Sequence, residues 1–371
     1  MTENTDEDVF PGDIQIVDAD IAARMDERSM RVATRMANIR ARHLSTKRDR
    51  DIKTELTLLV ANATVRTKGD TAGGCLALIG GTGAGKSCSI AKAIAACPEF
   101  LPRVTGMTET APILTILAPR PSDLLQIAYE GLEKLGYPLE RDLKPPAAWK
   151  LLRRQLRARQ VRFLHIDEAQ HMLNVGDPDS MKELSDALKM LLEDRDWPVS
   201  LILTGMPELA DFLSIYRQIQ RRSRKIILHE LRYPQDEELM SWIVSTIVTK
   251  HAKLKINFEW GGNFLARLHH AANRQFGTLT QIVRASIERA LVENPEAVTV
   301  TKAHFIQAYA LFSGCAPEQN IISARDWEAI EPLNALLREE EEAYTRLLQT
   351  LADREKELRA RRRRRRKKDE N

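Results

Sequence analysis

The sequence predicts an α/β fold: a parallel sheet flanked by helices, followed by a small all-helical domain and a long charged C-terminal helix. Three observations carry that expectation. Between residues 71 and 232, short apolar runs alternate with helical stretches of about 11–16 residues, the pattern of parallel strands with crossover helices. The stretch "LALIGGTGAGKSCSIAKAI" (Leu76 to Ile94) runs from an apolar strand through a glycine-rich turn into a small-residue helix. Beyond residue 231 strand patterns stop while helical periodicity continues.

The elements follow in order. Residues 1–20, "MTENTDEDVFPGDIQIVDAD", hold seven acids and no base and read as a disordered acidic tail. Residues 21–70 form a basic helical segment rich in arginine. The α/β domain spans 71–232. Gly73-Gly74 punctuates the start of the buried strand "CLALIG", and the helix "SCSIAKAIAAC" follows. "APILTILAP" is a strand stopped by Pro119 and Pro121; "SDLLQIAYEGLEKLG" is a helix with Ser122 or Asp123 as its N-cap. The helix "AAWKLLRRQLRAR", the strand "VRFLHID", the helix "SMKELSDALKMLLEDR" and the strand "VSLILTG" complete the alternation. Residues 233–315 are a helical domain, and residues 316–371 a charged helix ending in an arginine-rich tail.

Composition narrows the class. A chain of 371 residues accommodates about two domains. The net charge of +4 is mild but blocked, and basic blocks suit nucleic acid or other acidic surfaces. Cys75, Cys88, Cys97 and Cys315 form no CxxC pair, which argues against a disulfide framework and for a reducing, cytoplasmic setting. No apolar run reaches the ~18 residues of a membrane span, and the acidic N-terminus does not read as a signal peptide.

"GGTGAGKS" satisfies G-x-x-x-x-G-K-[ST]. Gly80, Gly81, Thr82, Gly83, Ala84 and Gly85 form a loop whose N–H groups converge on phosphates, and the helix N-terminus adds favourable partial charge. Lys86 supplies a cation to the transferring phosphate, and the Ser87 hydroxyl is a Mg²⁺ ligand. In "VRFLHIDEAQHM", Asp167 falls at a strand's C-terminal end, where open α/β sheets bind ligands, and would hold the Mg²⁺ shell. Its neighbour Glu168 is placed to orient or deprotonate an attacking water. A carboxylate poised on water implies nucleotide hydrolysis rather than transfer to a small substrate.

Thr204, at the end of "LILTG", is either a sensor of the terminal phosphate or a threonine satisfied within the sheet. Downstream, "YRQIQRRSRKIIL" carries more cations than a core can bury. Arg221 and Arg222 are the candidates for an arginine supplied to a neighbouring subunit's nucleotide, against a simply solvated helix end.

The ordered set "GGTGAGKS", "FLHIDEAQHM", "LILTGMPEL", "QRRSRKIILHEL" and "FGTLTQIVRASIERAL" resembles the AAA+ ATPases, over roughly residues 25–315. Within them it is most similar to transposition regulators of the TniB/TnsC type. Secretion-type ATPases related to ExeA share several of the same features. The resemblance implies ATP and Mg²⁺ as ligands and a homo-oligomeric ring or helical filament on double-stranded DNA. It also implies a DDE transposase as the recruited partner. Two departures stand out. "GTLT" (Gly277 to Thr280) has threonine where many AAA+ proteins carry the arginine of G-x-x-R, leaving Arg274 and Arg284 as substitutes; the TniB/TnsC group also tends to lack it. Thr204 replaces the commoner asparagine.

For the DNA, Arg103 in "EFLPRVTG" and Arg120 in "LAPRPSD" are the backbone-contact candidates, giving salt-sensitive, sequence-independent binding. The basic N-terminal helices and the Arg361–Lys368 run suit electrostatic attraction to any polyanion, since no aromatic residue interleaves the arginines. The alternatives are an ExeA-like secretion ATPase without a DNA role, a helicase loader or replication-accessory ATPase, and a signalling or scaffold NTPase that hardly turns over.

Overall fold

The computed structural model describes residues 19–65, 72–105, 108–119, 123–137, 143–173 and 177–332. Arg120, residues 1–18 of the acidic tail and the arginine run at 361–368 lie outside the described residues. The chain divides into two compact units. Among the described residues, one holds Ala41–Leu231 with Gln275–Thr278; the other holds 19–40, Arg232–Arg274 and 279–332.

The first unit is built on a five-stranded parallel sheet. Its strands are β1 (Cys75–Gly80), β4 (Ile113–Leu117), β5 (Phe163–Asp167), β6 (Ser200–Gly205) and β7 (Ser223–Leu228), in the order β4-β5-β6-β1-β7. The remaining short strands of this unit, β2 (Arg103–Thr105) and β3 (Thr108–Thr110), pair antiparallel outside the sheet. Side chains alternate between faces at every second residue. Ala77, Ile79, Leu164, Ile166, Leu201 and Leu203 point into one apolar cluster. Leu76, Leu78, Phe163 and Ile202 point into the other.

Helices α5 (Leu124–Lys134), α6 (Pro145–Ala158), α7 (Pro178–Leu192), α8 (Glu208–Ile215) and the short α9 (Arg217–Gln220) belong to the first cluster's side. They contribute Ile127, Leu152, Leu188, Phe212 and Ile219. Helices α3 (Lys47–Thr64) and α4 (Lys86–Ala95) close the second cluster with Ile52, Leu56, Leu59 and Ile90. The stops and starts have local causes. Asp123 caps α5, accepting from Gln126 N at 2.8 Å, and the Gln126 side chain bonds back to Asp123 N. Thr46 and Asp49 form a similar reciprocal box at the start of α3.

The second unit contains α1 (Ala19–Ala22), α2 (Glu27–Ala41) up to Arg40, α10 (Glu237–Ser245), α11 (Asn263–Ala271), α12 (Phe276–Glu293) from Leu279, and α13 (Lys302–Ser313). Among its described residues the strands are a parallel pair of two-residue segments, β8 (Lys255–Ile256) and β9 (Thr299–Val300), too short to leave an alternating pattern in the sequence. Phe258, Phe264 and Phe305 meet edge-to-face in this unit, with centroids 4.9–5.7 Å apart.

The arginines of α2 have specific work inside this unit. Arg28 donates to the carbonyls of Val292 (2.6 Å) and Glu293 (2.9 Å), capping the C-terminal end of α12, where cations are favoured. Arg35 donates to the Pro295 carbonyl, while Arg31 and Arg40 pair with Glu296 and Glu288. The charge of that helix is therefore engaged in folding contacts.

Candidate functional site

Strand order builds the site. Because β6 lies between β1 and β5, the residue ending β6 is placed between the phosphate loop after β1 and the acids after β5. The register pairs Ile166 with Leu203, so Thr204 falls beside Asp167 one step on. Thr204 Oγ1 donates to Asp167 Oδ1, which also accepts the backbone N–H of Glu168 at 2.9 Å. Asp167 Oδ2 makes no hydrogen bond among the described residues.

His165 shares a face with Asp167, two residues along the strand. It is almost fully buried, with Nδ1 at 3.4 Å from Thr115 Oγ1 and Nε2 at 3.3 Å from Thr204 Oγ1. Burial pushes its imidazole down to about 4, against a partial opposing pull from Asp167. A neutral ring that donates from Nε2 and accepts at Nδ1 gives one consistent chain, Thr115 to His165 to Thr204 to Asp167.

Gly80–Ser87 wrap from β1 into α4. Gly83 and Gly85 have φ of 78° and 89°, a region L side chains rarely adopt. A Cβ on Gly85 would meet nothing within 4 Å, so the loop keeps open space there. Lys86 is buried, and its Nζ donates to the carbonyls of Gly80 (2.9 Å) and Gly81 (3.0 Å). Burial pushes its ammonium below the ordinary value, and the carboxylates of Glu168, Asp167 and Glu208 push it back. Ser87 and Thr82 are exposed at the loop. Glu168 sits at φ 54°, a strained conformation for a non-glycine residue. The side-chain amide of Gln170 donates to Glu168 Oε2, and its Oε1 accepts Met206 N at 3.1 Å.

The loop has a second wall. Thr278 N donates to Gly83 O at 3.2 Å, and a Cβ added to Gly277 would lie 2.5 Å from that same oxygen. Arg48, on α3, donates to the Ala84 carbonyl at 3.0 Å, with its guanidinium 4.8 Å from the Phe276 ring centroid. Beside it, His43 Nε2 meets Asp49 Oδ1 at 2.8 Å. Burial alone would push that imidazole down, yet hydrogen bonds to Asp49 and Cys88 hold it up at about 9.

The structure thus brings together Gly80–Ser87, Asp167, Glu168 and Thr204. It does not bring the remaining candidates to them. Arg222 pairs with Glu193 at 3.1 Å, half-buried. Arg221 is exposed just after α9 and makes no side-chain hydrogen bond or ion pair among the described residues. Arg103 is exposed on β2. Sequence reasoning missed His165, Gln170 and Arg48. The i, i+2 spacing of His165 and Asp167 was a usable signal; Arg48 offered none, because its partner is 36 residues away.

The residues present fit a Mg²⁺-bound nucleoside triphosphate. The loop is open at Gly85, a buried lysine reaches its base, and Ser87 and Asp167 Oδ2 are available to a cation.

Residues 69–213 match the family described as AAA domain. The fold is similar to that of the Aeropyrum pernix ORC1 protein in complex with DNA, at 14% identity and TM-score 0.51, covering 73% of this chain and 66% of that one. It is also similar to Cdc6p from Pyrobaculum aerophilum, at 16% identity and TM-score 0.49, covering 71% of this chain and 66% of that one. The chain therefore spans just under two thirds of the length of both relatives. A comparison with curated proteins found no match. Fold and site together define an AAA+ P-loop NTPase fold: a parallel sheet flanked by helices, with a further helical unit. No helix among the described residues is long and apolar enough to cross a membrane.

Proposed function

We propose that this chain is a cytoplasmic ATP-hydrolysing switch that assembles as a homo-oligomer on duplex DNA and there positions a second DNA-acting protein. The observation that carries the hydrolytic half is the placement of Thr204 between the phosphate loop and the Asp167-Glu168 pair. In this reading Lys86 and the Gly80–Gly85 N–H groups hold the phosphates, while Ser87 and Asp167 hold Mg²⁺. The bound metal supplies charge neutralisation at the reacting phosphate. Glu168, held by Gln170, accepts the proton of the attacking water, and Thr204 keeps Asp167 oriented. Arg221, exposed and unpaired within its own subunit among the described residues, is the better finger candidate toward a neighbour; Arg222 is engaged with Glu193.

For the output we favour loading or accessory work on DNA, in the manner of a helicase loader or replication-accessory ATPase. The likeness of fold to an ORC1 protein solved in complex with DNA supports it. Arg103, exposed on the β2–β3 pair, and Arg120 remain the proposed backbone contacts. The second reading is a transposition regulator that recruits a DDE transposase. The "GTLT" segment favours it, with threonine in the position of the lid arginine.

The test is electron microscopy of Glu168→Gln with ATP or ADP, with and without duplex DNA. Rings or filaments that need both ATP and DNA are the expected result. Particles indifferent to both would overturn the proposal. Pull-down of a helicase against a DDE transposase by the trapped assembly then separates the two readings.

A further inference from the structure

We propose that Arg48 is a positioning residue for the phosphate loop: by holding the Ala84 carbonyl it aims the Gly85 N–H at the bound nucleotide's phosphates. The inference rests on the reading of this loop as a nucleotide site. The peptide between Ala84 and Gly85 is planar and trans, so its C=O and N–H point in opposite directions. Fixing the carbonyl on the Arg48 side, at 3.0 Å, therefore fixes the N–H on the other. Gly85 gives the chain its left-handed turn at that point, and the space beside its Cα is open. The preceding peptide is held independently, since Gly83 O accepts from Thr278 N at 3.2 Å and Ala84 N donates to Gly81 O at 3.2 Å. Without Arg48, the Ala84–Gly85 peptide would have no such anchor at its carbonyl.

Arg48 is suited to this task by what surrounds it. It is half-buried and makes no ion pair among the described residues; the neighbouring carboxylate of Asp49 is taken up by His43 and Thr46. Its contacts are one carbonyl and the face of Phe276, which restrains the plane of the guanidinium. A charge-assisted bond to a carbonyl is stronger than a neutral one.

The experiment is calorimetric titration of full-length protein with ADP and with ATP. Variants are Arg48→Ala, Arg48→Lys, Phe276→Leu and the Arg48→Ala/Phe276→Leu pair, each checked by its thermal unfolding. We expect Arg48→Ala to weaken both nucleotides about ten-fold and Arg48→Lys, which keeps a donor, to recover most of that. Phe276→Leu should cost two- to three-fold alone and nothing further on top of Arg48→Ala. With ¹⁵N-glycine labelling, the Gly85 amide should shift in Arg48→Ala without nucleotide and return in Arg48→Lys. Nucleotide affinity within two-fold of wild type in a folded Arg48→Ala protein overturns the inference. So does an Arg48→Lys protein that folds but binds no better than Arg48→Ala. Wild-type protein that binds neither nucleotide would instead overturn the nucleotide-site reading beneath it.

Discussion

Thr204 donates its hydroxyl to the same Asp167 oxygen that accepts the Glu168 N–H, so that oxygen is saturated from within the sheet and Oδ2 is the one left to a cation. A carboxylate pinned in this way presents one oxygen in one direction. Replacing Thr204 by Val keeps the shape and removes the donor, which leaves Asp167 Oδ1 held by the Glu168 N–H alone. We expect Thr204→Val to lower ATP turnover roughly ten-fold and to raise the Mg²⁺ concentration needed for half-maximal rate. Thr204→Ser, which keeps the hydroxyl, should stay near wild type. A Mg²⁺ titration of steady-state hydrolysis checks both; an unchanged Mg²⁺ requirement in Thr204→Val would count against the assignment.

Two histidines give stability opposite pH dependences. His165 is held down at about 4 by burial, so the unfolded chain, near 6.5, binds the proton more readily; its contribution is present above pH 6.5 and lost as pH falls towards 4. His43 is held up at about 9, so its contribution is full below pH 6.5 and lost as pH rises through 9. At about 1.4 kcal/mol per pKa unit, each limb amounts to a few kcal/mol at most. Urea midpoints measured from pH 4 to 10 should peak near neutrality. His43→Gln should flatten the alkaline limb and His165→Gln the acid limb; an alkaline limb unaltered in His43→Gln would refute the first half.

The adjacent arginines should separate. Arg222 is half-buried against Glu193, so Arg222→Ala should cost stability, about 1 kcal/mol, with only a small change in turnover per folded subunit. Arg221 is exposed, so Arg221→Ala should leave the melting temperature in place. If it reaches a neighbour's nucleotide, its loss should lower ATPase by at least 100-fold, and only at concentrations where the protein assembles. Equal effects of the two substitutions on rate would remove the distinction.

What was legible in the sequence was whatever one local segment decides. The P-loop, the Asp167-Glu168 pair and the Asp123 cap each lie within a few residues, and short apolar runs between period-3.6 stretches marked the sheet and its helices. What escaped depends on strand order and on long-range contacts. Nothing local says that β6 inserts between β1 and β5, and that insertion is what brings Thr204 to Asp167. Likewise the arginines of α2 look like a nucleic-acid surface until the end of α12, some 260 residues on, supplies their carbonyl and carboxylate partners. Charge counts describe a helix's composition; only tertiary packing decides which charges remain free.

The "GTLT" segment (Gly277 to Thr280) makes its own sharp demand on size. At Gly277 an added Cβ would lie 2.5 Å from Gly83 O and 3.2 Å from Gly85 N, and both neighbours are backbone atoms of the phosphate loop. Neither can swing aside as a side chain would, so Gly277→Ala must push the loop or the start of α12 out of place. The Thr278 N to Gly83 O bond goes with it, and with that the anchor of the loop's apex. We expect ADP affinity to fall at least ten-fold in Gly277→Ala, with loss of 1–3 kcal/mol of stability, about the usual cost of overpacking. Gly261→Ala is the matched control: its Cβ would meet nothing within 4 Å, and both affinity and unfolding should stay close to wild type. Calorimetric titration and thermal melts of the two variants side by side decide the matter. A Gly277→Ala protein that binds ADP as the Gly261→Ala control does would show that the loop tolerates displacement, and that the close contact with Gly277 is not what shapes it.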